Sequence, residues 1–131
     1  MILGIGTDIV EISRIHDSVT RLGERFLKRL LTESEMARYH EIKHVDSAMA
    51  FVAKRFAAKE AVAKALGTGI GRGLSFQHIV VSNDALGKPI VSVEAHGSHL
   101  MERPVTWHLS ISDERDYAQA FVILEASELS S

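Results

Sequence analysis

The stretch Arg55–Gly73 constrains the fold more than any other, because an alanine-rich segment runs directly into glycines at every second position. Its first half contains neither glycine nor proline, which predicts a helix, and Gly67 is placed to end that helix in the left-handed conformation. The alanines leave little side-chain bulk on it; they are Ala57, Ala58, Ala61, Ala63 and Ala65. The stretch therefore predicts a helix that a bulky ligand or another chain can approach closely.

Two features of this stretch suggest a binding site. Glu60 and Lys64 share a helix face one turn apart, although such pairs are most often solvated and stabilise by only about 0.2–0.5 kcal/mol. The glycines that follow can expose backbone N–H groups beside Arg72, which suits a phosphate. Neither a G-x-G-x-x-G motif nor a P-loop is present, so a simple helix end and turn explains the glycines equally well.

An acidic residue interrupts the apolar segment from Met1 to Val10. This segment predicts a buried strand, and its two glycines indicate that something approaches its backbone closely. Asp8 is costly to bury there unless it is hydrogen-bonded or binds a cation. The alternative is that Asp8 caps the following helix.

The remaining patterns predict an α+β fold, in which an antiparallel sheet accompanies a long helix. Helical spacing in residues 13–31 places Ile15, Val19, Leu22 and Phe26 on one apolar stripe, with a possible break at Gly23. A capping box at Thr32–Glu35 starts a helix to about Ile42, and Asp46-Ser47 is expected to cap the long helix to Leu66. Strands follow at about 76–82, 90–93, 105–112 and 117–124, with a short helical segment within 96–103.

Composition limits the classes of protein that fit. The chain has 131 residues, 46% of them hydrophobic, which suits one domain over residues 1–126 with a frayed tail at 127–131. A net charge of −2 argues against a nucleic-acid partner, and the lack of cysteine excludes disulfides and thiolate chemistry. No targeting peptide or long apolar run is visible, so we expect a cytoplasmic protein without a membrane partner.

Three motifs, in order along nearly the whole chain, resemble a known family. The first is Gly4-Ile5-Gly6-Thr7-Asp8-Ile9-Val10-Glu11, and the third is His108-Leu109-Ser110-Ile111-Ser112. Between them lies Phe56-Ala57-Ala58-Lys59-Glu60-Ala61, followed by Lys64-Ala65 and Gly67-Thr68-Gly69. Together they resemble the signatures of the 4′-phosphopantetheinyl transferases, specifically the short holo-acyl-carrier-protein synthase type.

The resemblance implies a reaction and an assembly. Members of this family move the 4′-phosphopantetheine arm of coenzyme A to a serine of acyl carrier protein and release adenosine 3′,5′-bisphosphate. The short type is implied to be a homotrimer with active sites between subunits. Two alternatives remain: a Mg²⁺-dependent hydrolase of nucleotide pyrophosphates, and a trimeric module that binds these partners without turnover.

The resemblance also implies roles for individual residues. Asp8 and Glu60 match the carboxylates that bind Mg²⁺ in the family. Longer relatives often have a third carboxylate two residues after the aspartate, where this chain has Val10. A water is therefore expected at that coordination position. The proton of the serine goes to Glu60 or to a metal-bound water that Glu60 positions. Lys64 contacts the phosphates and stabilises the leaving charge.

Further residues are expected to contact coenzyme A. His108 is implied to reach one of its phosphates from the neighbouring subunit, although a hydrogen-bonded strand histidine is the simpler alternative. Gly67 and Gly69 are expected at the same ligand. Arg55 is included as a phosphate contact, but Arg55 and Arg72 could equally face solvent.

A basic stripe on the first helical segment is the expected docking surface for acyl carrier protein. Arg14, Arg21, Arg25 and Lys28 fall on one side if the helix continues through Gly23. Acyl carrier proteins are acidic as a family, and the resemblance places their docking on this helix. A solvated helix face is the alternative.

Overall fold

The structure is a computed structural model that describes residues 1–94 and 98–127. It is α+β, as predicted. The strands are β1 (Ile2–Glu11), β2 (Ile79–Asn83), β3 (Pro89–Val93), β4 (Val105–Asp113) and β5 (Tyr117–Ala126). The helices are α1 (Ile12–Leu22), α2 (Glu24–Leu30), α3 (Glu33–Glu41) and α4 (Val45–Leu66), with 3₁₀ turns at Phe76–His78 and His99–Met101.

A three-stranded antiparallel sheet, in the order β1-β5-β4, packs one face against α4, while β2 and β3 form a separate hairpin. The residues of β5 that point toward α4 are fully buried, and they are Ala118, Ala120, Val122 and Leu124. Because side chains alternate along a strand, the neighbouring residues of β5 point to the other side of the sheet. The core therefore lies between the sheet and α4.

Strand β1 lies directly on the alanine stripe of α4. A Cβ atom at Gly4 would lie 1.9 Å from the carbonyl oxygen of Ala65, and one at Gly6 would lie 1.9 Å from that of Ala61. Close approach was predicted for both segments, but the expectation that a ligand or another chain covers the alanines is wrong. All five alanines are buried within this chain, and Gly4 and Gly6 of β1 cover Ala65 and Ala61, which brings Asp8 within reach of Lys64 in the last turn of α4.

The other side of this sheet, which we call the open face, is partly apolar and uncovered. Ile5, Ile9 and Phe121 lie on it and are 57%, 62% and 43% exposed. The prediction that β1 is a buried strand is thus wrong for the single chain, since only one side of it is covered. No helix in the described ranges is long and apolar enough to cross a membrane.

The helix boundaries agree with the predictions in part. The possible break at Gly23 is confirmed, because Gly23 adopts φ 61° and separates α1 from α2. Leu22 therefore ends α1 and is 44% exposed, so its expected place on the apolar stripe is wrong. Helix α4 begins at Val45, ahead of the expected cap at Asp46-Ser47. The capping box at Thr32–Glu35 is confirmed.

Two predicted segments fall partly outside the described residues. The 3₁₀ turn at 99–101 lies in the segment expected to be helical, but residues 95–97 are outside the described part of the chain. Of the expected tail, residues 128–131 are also outside it, and the N–H of Ser127 donates to Pro104.

Candidate active site

Asp8 and Lys64 meet where β1 crosses the end of α4. Lys64 Nζ lies 3.0 Å from Asp8 Oδ1 and donates a second hydrogen bond of 2.9 Å to the carbonyl oxygen of Thr7. The Asp8 side chain is 16% exposed and that of Lys64 is 52% exposed. Asp8 does not cap α1, whose N-cap residue is Glu11. The contact leaves Lys64 open to a ligand from the solvent side.

Glu60 shares a cavity with Asp8. The cavity has a volume of about 350 Å³, and its lining includes Arg14, Phe26 and Phe56 as well as the two carboxylates. Burial raises the pKa of Glu60 and the charge of Asp8 raises it further, while Lys64 opposes the shift. The raised pKa makes Glu60 a stronger base than an ordinary carboxylate, and a nearby positive charge would favour its ionised form.

This arrangement fits a Mg²⁺ site with few protein ligands. Mg²⁺ commonly takes one or two carboxylates and completes its octahedron with waters and substrate phosphates. Within the described ranges, no group of three or more histidine, cysteine or acidic residues could hold a metal. Asp8 and Glu60 are two carboxylates on one cavity that repel each other, and a divalent cation would remove that repulsion.

A second cavity, of about 510 Å³, lies around Arg55 on α4. Arg55 is only 4% exposed, so the alternative that it faces solvent is wrong. Its guanidinium lies 4.5 Å from the ring centroid of Phe51 and donates to Asn83 over 3.3 Å, but Nε has no hydrogen-bond partner. Burial is the main cause that lowers the pKa of Arg55.

The lining of this second cavity is suited to an anion. Arg38 and Lys54 join Arg55 on its wall, although Asp84 and Asp113 also line it, and Lys54 lies 3.4 Å from Asp113. A buried guanidinium with an unpaired N–H is costly unless a ligand completes its hydrogen bonds. An anion such as a phosphate would meet that requirement.

The glycine loop does not offer the free N–H groups that the sequence suggested. The N–H of Gly67 donates to Lys64, that of Gly69 to Ala63 and that of Gly71 to Leu74. The first two bonds close the end of α4, because the last carbonyl groups of a helix lack partners within the helix, and the third lies within the loop. A phosphate cradle formed by those three N–H groups is therefore wrong for this structure. Whether Gly67 and Gly69 contact coenzyme A in another way stays a prediction.

His108 lies apart from Asp8 and Glu60 within one chain. It is on the open face of β4, in register with Ile123 of β5, whereas Asp8 points to the α4 side of the sheet. Its Nε2 lies 2.9 Å from Glu125 Oε1, and this hydrogen bond is the main cause that lowers the pKa of Glu125. A single chain therefore does not bring His108 to the two carboxylates.

The basic residues of the first helical segment are all exposed, but they do not lie on one helix. Arg14 and Arg21 are on α1, while Arg25 and Lys28 are on α2 beyond the break at Gly23. The prediction that all four basic residues lie on one continuous helical stripe is therefore wrong beyond Arg21. Arg14 lines the cavity of Asp8 and Glu60, so this basic surface begins at the candidate site.

Some residues at the site were missed by the sequence analysis. Phe26 and Phe56 line both the cavity described above and a neighbouring one of about 320 Å³, which Glu60 also borders. Lys59 is fully buried beside Glu60, and its Nζ lies 2.6 Å from Glu35. The signal for Lys59 was its place between alanines on the buried side of α4, where a charged residue requires a partner.

The protein is thus of a small α+β class in which two carboxylates line one cavity beside a lysine, and the same long helix borders a separate cationic cavity. A sequence model described as the 4′-phosphopantetheinyl transferase superfamily matches residues 4–122. Among curated proteins, the holo-[acyl-carrier-protein] synthase of Marinomonas sp. is 58% identical over 96% of this chain and 99% of its own length. That of Shewanella frigidimarina is 54% identical over 95% and 98%.

Solved structures agree. A holo-(acyl-carrier-protein) synthase from Bacillus anthracis in complex with CoA (3′,5′-ADP) is 43% identical, with a TM-score of 0.84 and coverage of 97% of this chain and 99% of that one. The enzyme of the same name from Neisseria meningitidis is also 43% identical, with a TM-score of 0.85 over 95% and 99%. The chain belongs to the 4′-phosphopantetheinyl transferase superfamily.

Proposed function

We propose that this protein is a holo-acyl-carrier-protein synthase, which transfers the 4′-phosphopantetheine group of coenzyme A to a serine of acyl carrier protein. The proposal rests chiefly on three residues from two of the three family motifs: Asp8 and Glu60 line one cavity, and Lys64 pairs with Asp8. We place the reaction in the cytoplasm, where it serves fatty acid biosynthesis.

The reaction is an attack on a pyrophosphate. The serine oxygen forms a bond to the phosphorus that carries the pantetheine arm, and the bond from that phosphorus to the bridging oxygen breaks. Adenosine 3′,5′-bisphosphate leaves with that oxygen. Such transfers depend on positioning and on stabilising the charge that develops on the phosphoryl and leaving oxygens.

Asp8 and Glu60 would hold Mg²⁺, which supplies charge neutralisation at the phosphates when it is bound. Glu60 is the proposed acceptor of the serine proton, directly or through one water that it positions, because it lies on the cavity that would receive the serine. Lys64 is half exposed and next to Asp8, so its ammonium can contact the phosphates and stabilise the leaving oxygen.

The cationic cavity around Arg55 is the proposed place for a distal phosphate of coenzyme A. Arg55 lies five positions before Glu60 along α4, which is about 7.5 Å of helix rise. At about 100° per residue the two side chains leave α4 about 140° apart, so this phosphate would belong to a ligand held at a site other than this chain's own Asp8 and Glu60, as in an assembly with shared sites. Arg38 and Lys54 on the wall of the same cavity support the assignment.

We also propose a homotrimer with shared sites, and the open face supports it. Ile5, Ile9 and Phe121 form an uncovered apolar surface on that side of the sheet, which a second copy would bury. His108 lies on the same face and points away from Asp8 of its own chain. Assembly through the open face would let His108 serve a neighbour's coenzyme A.

Docking of acyl carrier protein is proposed on the exposed arginines of α1 and α2. Arg14 borders the cavity that would receive the serine, and Arg21 and Arg25 extend the positive charge away from it. Charge complementarity of this kind raises the association rate with an acidic partner.

Mass spectrometry of an apo acyl carrier protein after incubation with the protein, coenzyme A and Mg²⁺ tests the function. Transfer adds the phosphopantetheine mass to the carrier and releases adenosine 3′,5′-bisphosphate. An unmodified carrier together with cleaved coenzyme A would instead identify a pyrophosphate hydrolase. Binding without any product would identify a module without turnover.

Mixed assemblies test the shared site. Inactive Asp8→Ala and His108→Ala chains should partly restore activity when they are co-expressed, because some sites then combine an intact Asp8 with an intact His108. Each variant expressed alone is the control. Mixed trimers without recovered activity would contradict the sharing of residues between subunits.

A further inference from the structure

Helix α2 is a short element that its own sequence does not hold in place. It has 7 residues and follows Gly23, whose φ of 61° separates it from α1. Isolated helices of this length are unstable in water, so tertiary contacts must fix its position. Because α2 carries Arg25 and places Phe26 and Arg29 on the cavity beside Glu60, its position shapes one wall of the candidate site.

The C-terminal end of α2 is fastened by two side chains from other elements. The two N–H bonds of Gln77 Nε2 serve three carbonyl oxygens, those of Lys28, Arg29 and Leu31 at 2.8, 3.2 and 2.8 Å, so that one hydrogen is shared. The carbonyl oxygen between them, that of Leu30, accepts a 2.7 Å hydrogen bond from Lys59 Nζ. All four carbonyl groups from 28 to 31 are thus bonded from outside the helix.

Lys59 also ties this helix end to two other elements. Its remaining hydrogen bonds go to Glu35 Oε1 on α3 and to the carbonyl oxygen of Phe76, over 2.6 and 3.0 Å. Glu35 Oε2 in turn accepts from the N–H of Val81 on β2 over 2.7 Å. The positive charge of Lys59 at the C-terminal end of α2 and the negative charge of Glu35 in the first turn of α3 each interact favourably with the dipole of that helix.

We propose that Lys59 and Gln77 are positioning residues for the carrier-protein substrate. They fasten the end of α2 to α4 and to the 3₁₀ turn at Phe76–His78. This fixes the orientation of α2, and with it the positions of Phe26 and Arg25, as the incoming carrier requires. The inference rests on the proposed function, because the carrier protein that these residues would help to bind is the substrate of the proposed reaction. Neither side chain touches the reacting atoms in this arrangement.

Gln77 is the better residue to test, because it lies at the surface and its removal leaves no buried charge. In Gln77→Ala, the KM for the apo carrier should rise about five-fold, the factor that corresponds to about 1 kcal/mol for one net hydrogen bond. The KM for coenzyme A and kcat should not change. Gln77→Lys supplies N–H donors at the same place and should restore the carrier KM.

Hydrogen exchange provides a readout that does not depend on activity. The amides of residues 24–30 should exchange faster in Gln77→Ala than in the wild-type protein. Val93→Ala, a truncation at the edge of the core on β3, is the control for a general loss of stability and should leave the carrier KM unchanged.

The outcomes separate the two proposals. If the wild-type protein modifies no carrier, the proposed function fails, and exchange at residues 24–30 still decides whether Gln77 fastens α2. Faster exchange with an unchanged carrier KM would overturn the positioning role. So would a parallel rise in the KM values of carrier and coenzyme A, or unchanged exchange in Gln77→Ala.

Discussion

Helix α4 carries three lysines at intervals of five positions, and each lies beside a carboxylate from another element: Lys54 beside Asp113, Lys59 beside Glu35 and Lys64 beside Asp8. Lys59 lies 2.6 Å from Glu35, and their side chains are 0% and 1% exposed. Lys64 lies 3.0 Å from Asp8, and these side chains are 52% and 16% exposed. The chemistry of the two pairs is the same, but their access to solvent differs.

This difference in exposure distinguishes a pair that stabilises the fold, Lys59–Glu35, from a pair in which a ligand can replace one partner, Lys64–Asp8. Lys59 uses its hydrogen bonds on Leu30, Glu35 and Phe76, and burial is the main cause that lowers its pKa. Removing one partner of such a pair leaves an uncompensated buried charge. An exposed pair contributes little to stability, so a ligand can replace one partner at low cost. Catalysis is therefore expected at the exposed pair.

The largest expected effect is a difference in stability between two matched substitutions. Lys59→Met should lower the free energy of unfolding by about 3–5 kcal/mol, because Glu35 is left charged and buried. Lys64→Met should lower it by less than about 1 kcal/mol, because its pair is solvated. Urea unfolding of both variants without Mg²⁺ measures the difference. Similar losses in the two variants would remove the distinction between the pairs.

The next effect concerns the rate of transfer, which should depend on the exposed pair and on Glu60. Asp8→Ala and Glu60→Ala should each lower kcat by at least about 10²–10³-fold while the protein stays folded, because charge stabilisation at the phosphates is withdrawn. Lys64→Met should also lose transfer without loss of stability. Rates are measured by the mass of the carrier, and folding by circular dichroism. Turnover near the wild-type value at limiting Mg²⁺ in Asp8→Ala or Glu60→Ala would contradict the metal site.

A smaller effect is expected for the basic surface next to the exposed pair. The double variant Arg14→Glu/Arg21→Glu should raise the carrier KM by about ten-fold or more at low salt, because the acidic partner is then repelled. Affinity for coenzyme A should not change. The carrier KM of the wild-type protein should itself rise with ionic strength, since salt screens exposed charges. An unchanged carrier KM, or a loss of coenzyme A binding, would move the docking surface elsewhere.

The smallest effect is on stability at Glu60. Its pKa is raised in the folded state, so its ionised form is disfavoured there, and this penalty is present above the raised pKa and disappears as the pH falls through it. Glu60→Gln should therefore raise the melting temperature slightly at pH 7 in the absence of Mg²⁺. The gain should vanish in acid, where the wild-type carboxyl is protonated. A variant that melts lower at pH 7 would show that Glu60 stabilises the fold.

Local patterns predicted most of the elements. The alanine-rich segment, the capping box at Thr32–Glu35 and the alternation in β4 and β5 each depend on neighbours in sequence, and they appear as expected. The family motifs pointed to Asp8, Glu60 and Lys64, and the structure brings those three together. The possible break at Gly23 is confirmed, whereas the start of α4 at Val45 was missed because helix ends also depend on tertiary contacts.

Spacing and residue type are local properties, so they were enough to predict the elements, the family resemblance and the charged residues of the candidate site. The contact that each residue makes became clear only once the fold was known. Lys59 and Lys64 stand in the same motif, yet Lys59 is enclosed between α2, α3 and the 3₁₀ turn at Phe76–His78, while Lys64 lies exposed in the last turn of α4. Their exposure depends on chain segments that are distant in sequence, and no local pattern records which of them will pack together.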